Sequence, residues 1–286
     1  MSRRNNSQRL GAQKDENAPA ATGQGFDFSF VSPSSFVELP SEGRFYPESH
    51  PLHGQSTIEV REMTAKEEDI LADFNLQKQG IAVDRMVQSV IVDKRISVNS
   101  LLVGDKNAIT IAARIGGYGA KYKTEVTCPA CNTKNSFEFN LAELEAKTAE
   151  ESPEVQHVQD RVFQLELPRT QYKIRIRLLT SAEMAKFSKP LRNAAKGKSN
   201  ANLQTNLLKL MLDSAQNPAD GEWFKDREVL NKLAEQLPAL DSIYIRSAYK
   251  VLAPDIDMTQ EFECNNCGHE QEMEVPLDAG FFWPDR

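Results

Sequence analysis

The sequence predicts an α+β fold made of two related halves, each running strand, capped helices, strand, Cys-x-x-Cys turn, strand. Three observations predict it. All four cysteines fall in two look-alike pairs, within "TEVTCPACNTKNSFEF" from Thr124 and "QEFECNNCGHEQEMEV" from Gln260. Asp105 and Asp241 each stand 23 residues ahead of the first cysteine of their pair. An alternating strand followed by Thr-x-x-Glu also occurs twice, in "STIEVREMTAKEED" and "QYKIRIRLLTSAEM".

Taken in order, residues 1–25 are polar and without periodicity, which predicts a disordered tail. "GFDFSF" follows, with Phe26, Phe28 and Phe30 at a period of two. That spacing suits an edge strand or a segment that docks on a partner. The first half is expected over 26–150. Within it "FVELPSEG" near Phe36 anticipates "FQLELPRT" near Phe163 in the second half. Thr64 with Glu67, and Thr180 with Glu183, have the spacing of a capping box that closes a helix start. Val83, Met86, Val87, Val90 and Ile91 form an apolar helical stripe, read as core. Asp105 is then placed as the N-cap of a helix stopped by Gly116 and Gly117, and Asp241 as the N-cap of one stopped by Pro254.

A strand leads from each helix into the cysteines, with Val126 and Phe262 both two residues ahead of them. Beyond the pairs, Phe137 and Phe139 match Met273 and Val275, and Leu141 matches Leu277, as in strands with one buried face. Residues 151–162 read as a linker and 163–286 as the second half. The second half carries two helical segments, "NLQTNLLKLMLDS" and "DREVLNKLAEQL", where the first has one. At its end, "DAGFFWPDR" groups Phe281, Phe282 and Trp283, aromatics suited to anchoring a partner or to packing on the second half.

Composition narrows the function. The net charge of −7 argues against a general nucleic-acid binder. "KFSKPLRNAAKGKSN" from Lys186 is locally basic and reads as a solvated loop or a partner-binding strip. No apolar run approaches the roughly 20 residues that span a bilayer. The N-terminus lacks the apolar core of a secretory signal. A reducing cytoplasm is therefore expected, where paired thiols are more often metal ligands than disulfides.

A Cys-x-x-Cys turn offers two thiolates on one side of a tight loop, as in a zinc knuckle. Two such turns complete a tetrahedral site, so Cys128, Cys131, Cys264 and Cys267 are expected to hold one structural zinc between the halves. Four protein ligands leave no open position for activating water. A redox pair is the rival, but thioredoxin-like pairs open a helix, and both pairs here are followed by strands. A divided site with His269 as an extra ligand is another. His50 and His53 lie in the loop "YPESHPLHG", where so short an interval more often carries no metal. No nucleophile elbow, P-loop or Rossmann fingerprint occurs. "RIGGYGAKY" follows a helix, so it reads as a helix stop instead of a phosphate cradle. Neither an enzyme nor a small-molecule substrate is expected.

"VELPSEGRFYPESHPLHG", "EVREMTAKEEDIL", "LLVGDKNAITIAARIGGYG" and "EVTCPACNTKNSFEFNLAELE" resemble the baseplate hub assembly proteins of contractile-tailed (T-even-type) bacteriophages. The resemblance covers much of residues 36–147 and is looser in the second half, mainly at "RLLTSAEM". It implies a non-enzymatic structural or assembly protein of the tail baseplate, bound to other baseplate or tail hub proteins. It places the chain in the bacterial host cytoplasm during assembly and, as a virion part, in the tail baseplate. The competing reading from the cysteines is a zinc-ribbon adaptor in transcription or nucleic-acid handling.

Overall fold

Alternation of apolar and polar residues builds the strands, and two Thr-x-x-Glu boxes start the helices that follow them. In the computed structural model these elements are described over residues 33–150, 154–187, 202–275 and 281–282. The expected tail over 1–25, Phe26, Phe28, Phe30, Leu277, Trp283 and most of the basic stretch after Lys186 lie outside those residues.

The first half opens with β1 (Ser34–Glu38) antiparallel to β2 (Thr57–Arg61). On β2, Ile58 and Val60 face the core while Thr57, Glu59 and Arg61 do not. Three helices follow: α1 (Ala65–Ala72), α2 (Phe74–Gln79) and α3 (Ala82–Val90). Met86, Val87 and Val90 are fully buried on α3, whereas Val83 of the predicted stripe turns outward. Helix α2 has no counterpart among the expected elements; Asp73 caps it by accepting from the amides of Asn75 and Leu76. The 16-residue α4 (Val103–Tyr118) then leads into the hairpin β3 (Lys121–Thr127) and β4 (Lys134–Asn140).

The second half begins inside the expected linker. After the short β5 (Ala146–Lys147), β6 (Val155–Gln159) pairs with β7 (Val162–Glu166), so half of residues 151–162 belongs to a sheet. Next come β8 (Lys173–Arg177), α5 (Leu203–Met211), β9 (Leu212–Gln216), β10 (Trp223–Phe224), α6 (Arg227–Gln236) and α7 (Ala239–Leu252). The chain finishes with β11 (Asp255–Ile256) and the hairpin β12 (Thr259–Glu263) and β13 (Glu270–Glu274). Strands β10, β9, β8, β7 and β6 form one antiparallel sheet in that order. The first half holds a two-stranded sheet of β1 and β2, extended by a single bridge from Val60 to Ile91.

Both capping boxes form. The amide of Thr64 donates to Glu67 at 3.0 Å and that of Thr180 to Glu183 at 2.9 Å. The two aspartates play a different part from the one expected. Helices α4 and α7 start at Val103 and Ala239, with Leu102 and Pro238 at the N-cap position, so each aspartate is already inside the first turn. Both are fully buried. Asp105 accepts from the amide and hydroxyl of Ser41 at 3.0 and 2.6 Å and from the Tyr46 hydroxyl at 2.7 Å. Asp241 accepts from the amides of Arg169 and Thr170 at 2.7 and 3.1 Å. Each carboxylate thus ties a Leu-Pro loop, after β1 in the first half and after β7 in the second, to the last helix of its half. Burial pushes Asp105 above the ordinary carboxylate range, opposed by the bonds from Ser41 and Tyr46.

Gly116 and Gly117 do not end α4, which runs past them to Gly119 at φ 81°. Helix α7 does stop just before Pro254. The glycine that matters most for packing is Gly104: a Cβ there would lie 2.0 Å from the carbonyl oxygen of Pro254. The start of α4 therefore touches the backbone leading into β11, where Asn107 also bonds Asp255 at 2.9 Å. Strand β11 pairs with β5, and the amide of Val103 bonds the carbonyl of Leu179 at 3.3 Å. The two halves accordingly share one hydrophobic core.

Two consequences are measurable. Gly104→Ala meets backbone and should cost at least about 2 kcal/mol. Gly116→Ala, whose nearest neighbour is a flexible Glu62 carbon at 4.0 Å, should be neutral or stabilise by up to about 1 kcal/mol. Chemical denaturation of both variants checks the contrast. Glu67 is wholly buried; burial works against its ionisation, but bonds from Arg61, Ser89 and Thr64 prevail and hold it down to about 2. Its folded value lies below the unfolded one, so its stabilisation is full above about pH 4.5 and is lost as pH falls through the folded value. Glu67→Gln should cost about 3 kcal/mol at neutral pH. The gap to the parent should begin to narrow below about pH 4.5 and close only as denaturation series approach about pH 2.

Candidate metal centre

The site is built by two turns that fold alike. In the first, the amide of Cys128 bonds the carbonyl of Thr133 at 3.0 Å and that of Asn132 bonds the carbonyl of Cys128 at 2.9 Å. In the second, Cys264 bonds His269 at 2.9 Å and Gly268 bonds Cys264 at 2.9 Å. The residue after the second cysteine of each pair is left-handed: Asn132 at φ 55° in one turn and Gly268 at φ 66° in the other. Asn and Gly are the residues that adopt this backbone most cheaply. The turn leaves both sulfurs of a pair on one side.

The hairpins then bring the pairs together. Phe137 of β4 meets Phe262 of β12 edge-on, with ring centroids 5.4 Å apart. Gln260 grips the backbone of Asn140 twice, accepting from its amide at 3.1 Å and donating to its carbonyl at 2.6 Å. With the shafts fixed in this way, the four sulfurs of Cys128, Cys131, Cys264 and Cys267 all lie within 4.8 Å of one another. Between the hairpins, Cys128 lies 3.8 Å from Cys267 and Cys131 lies 3.7 Å from Cys264. A disulfide needs about 2.05 Å, so these are free thiols. Four sulfurs placed tetrahedrally about 2.3 Å from a central ion would be about 3.8 Å apart. The donor set and its spacing therefore fit a tetrahedral thiolate site.

Charge at the cluster points the same way. Bonds from the side chain and backbone of Thr133 and from Asn266 bring the Cys131 thiol down to about 5. Burial pushes Cys264 up, but the amides of Asn266 and Cys267 outweigh it and lower this thiol too. A backbone bond at His269 favours ionised Cys267, yet the thiols of Cys131, Cys264 and Cys128 drive it up to about 12. Some sulfurs ionise readily and a neighbour then resists, as crowded like charges must. A cation among them removes that conflict.

Cys128 and Cys264 are buried, Cys131 is half-buried and Cys267 is exposed. A surrounding shell of carboxamides was not anticipated from the sequence. Asn135 is buried beside Cys264, its Nδ2 at 3.5 Å from the sulfur, while its Oδ1 accepts from the amide of Asn265 at 3.2 Å. Asn266 Nδ2 lies 3.7 Å from the Cys131 sulfur and 3.3 Å from the Thr133 hydroxyl. A signal was present: Asn135 shares the inward phase of β4 with Phe137 and Phe139, an odd position for a polar residue.

The other sequence candidates fall elsewhere. His269 faces Gln271 at 3.4 Å and is not part of the cysteine cluster. His50 accepts from the amide of Leu52 at 3.1 Å, pairs with Ser100 at 2.9 Å and stacks on Tyr46; His53 bonds the carbonyl of Tyr46 at 2.7 Å. Both histidines shape their loop. Phe281 and Phe282, expected as partner anchors or as packing on the second half, are buried. Phe281 packs edge-on against Tyr122 of the first half at 5.3 Å, and its carbonyl accepts from the fully buried Arg114 at 2.5 Å. These two rings serve the core, because Arg114 needs acceptors where it lies and the C-terminal backbone supplies one.

Among the described residues no helix is long and apolar enough to cross a membrane. Comparison with known proteins gives one family match, to the model described as T4 bacteriophage base plate protein, over residues 34–283. No curated protein and no solved structure matches. The match runs from β1 to beyond the second hairpin and takes in both halves and all four cysteines: the chain belongs to the T4 bacteriophage base plate protein family.

Proposed function

We propose that the chain is a non-enzymatic structural or assembly component of the hub region of a contractile phage baseplate, built from two duplicated halves and held by one structural zinc. The observation that carries this reading is the meeting of two Cys-x-x-Cys hairpins, one from each half, inside a chain of the base plate family. Cys128, Cys131, Cys264 and Cys267 would hold the ion. Zinc bound by four thiolates supplies cross-linking and no open coordination position. Duplication is supported by the paired capping boxes, the paired aspartate clamps and the identical turns. Other tail proteins are the partners this role requires, met in the host cytoplasm during assembly.

Zinc binding in small modules is worth roughly 10–16 kcal/mol, against the about 5–15 kcal/mol net stability of a typical domain. Loss of the ion should therefore loosen the hairpins strongly. Elemental analysis of the purified chain should find close to one zinc. Cys128→Ser and Cys264→Ser should each abolish most of it, because both hairpins serve one site. Independent loss of separate ions would defeat the shared site. Mass spectrometry of finished particles against infected-cell lysate tests the role. A stoichiometric signal in particles identifies a virion part, and presence in lysate alone an assembly factor. Salt-sensitive binding of the purified chain to DNA or RNA would favour a nucleic-acid adaptor instead.

A further inference from the structure

Each half places an arginine three residues before the threonine of its capping box: Arg61 before Thr64, Arg177 before Thr180. The two guanidinium groups have different fates. Arg61 donates to Glu67 at 3.0 and 2.5 Å, to Ser89 at 3.0 Å and to the carbonyl of Glu62 at 3.1 Å. In the second half the glutamate of the box is taken by another residue: Arg161 donates to Glu183 and to the carbonyl of Leu178. Arg177 is left with two longer ionic contacts, to Glu183 at 3.4 Å and Asp213 at 3.8 Å. Its side chain is only 19% exposed, and its buried Nε, the atom that lies 3.4 Å from Glu183, makes no hydrogen bond of good geometry among the described residues. A guanidinium has five N–H donors, and leaving them idle when half-buried is costly.

Arg177 lines a cavity of about 290 Å³ together with Arg161, Arg175, Lys225, Asp160 and Asp213. Arg175 stands over the ring of Trp223 at 3.9 Å, reaching Gln164 only at 3.4 Å. Lys225 is 69% exposed and 4.0 Å from Asp213. Four cations therefore face two lining carboxylates and the adjoining Glu183, a surplus of one positive charge. We infer that this cavity binds a carboxylate presented by an acidic segment of a partner protein, with Arg177 as its principal donor. The surplus matches a monoanion better than a phosphate dianion, and a planar carboxylate can accept two parallel N–H bonds from one guanidinium. That the carboxylate comes from a protein rests on the assembly reading; the charge and idle donors of the cavity do not.

The test uses the full chain, with acetylated hexaglutamate and inorganic phosphate as probes and the arginine Nε–H resonances as the readout. Hexaglutamate should move the Arg177 and Arg175 signals saturably. Arg177→Gln should weaken its binding about tenfold or more. Arg177→Lys, which keeps the charge and loses the fork, should fall between. Arg95→Gln, at an exposed pair with Asp93, should bind as the parent does. No saturable shift in the parent, equal affinity after Arg177→Gln, or phosphate binding as tightly as the peptide would each overturn the assignment. The parent titration stands even if a variant folds poorly. Failure here would leave the zinc and particle measurements, and the base plate reading, untouched.

Discussion

The arrangement depends on a backbone-to-backbone contact with no room for a side chain, where Gly104 opens α4 against Pro254 and Asp255. That contact fixes where the chain leaves α7 and enters β11, which must then pair with β5 beside the foot of the first hairpin. From there both hairpins rise side by side. The Gln260–Asn140 bonds and the Phe137–Phe262 contact set their relative height. Only after those constraints are met do turns more than 130 residues apart in sequence bring their sulfurs within reach. The clustering of the four sulfurs is thus the last link of a chain that begins at a glycine deep in the core.

The sequence displayed what is local and hid what is not. The strand alternation of Ile58 and Val60, the capping boxes and the Cys-x-x-Cys turns are set by neighbours within a few residues, and all are present in the fold. Asp105 and Asp241 were recognisable as paired, but their role was not. A capping aspartate and one that clamps a distant loop differ only in where the helix begins, and helix ends are decided by tertiary contacts. Gly116 and Gly117 look like a stop because glycine is a poor helix former. The helix passes through them because Met63 packs against Gly117, its sulfur 3.5 Å from where a Cβ would sit. The linker was misread for the opposite reason: β6 is a mostly exposed edge strand and shows no apolar alternation. At the site the pairing of the four cysteines was legible from spacing alone, whereas the carboxamides around them were not, since a lone Asn gains meaning only from what crosses the hairpin interface.

The halves differ most where they face outward. On the first hairpin, Lys121 pairs with Glu138 at 2.8 Å and Lys134 with Glu125 at 3.4 Å, so its exposed face is largely self-neutralised. On the second, Glu261 sits opposite Glu272 and Glu263 opposite Glu270, with Glu274 beside them. Like charges directly across an antiparallel pair are destabilising. Arg61 and Arg177 diverge in the same sense, one satisfied within its half and the other left with idle donors. The core-facing positions meanwhile keep their pattern, β2 and β8 burying the same alternate residues.

That asymmetry bears on the thiolates. Four thiolates around a divalent ion carry a net charge of −2, and the glutamates of β12 and β13 add to the negative field at the same end of the molecule. Neither turn places an acidic residue between its cysteines; "CPAC" and "CNNC" are uncharged. Asn135 and Asn266 direct N–H groups toward sulfur, and the amides of Asn266 and Cys267 lower Cys264. Such donors offset the charge without adding a positive group that would compete with a metal for the sulfurs. A lysine at either asparagine could neutralise a thiolate on its own and weaken the need for an ion. The carboxamides cannot, so they leave the sulfurs open to a cation while spreading negative charge over neutral dipoles.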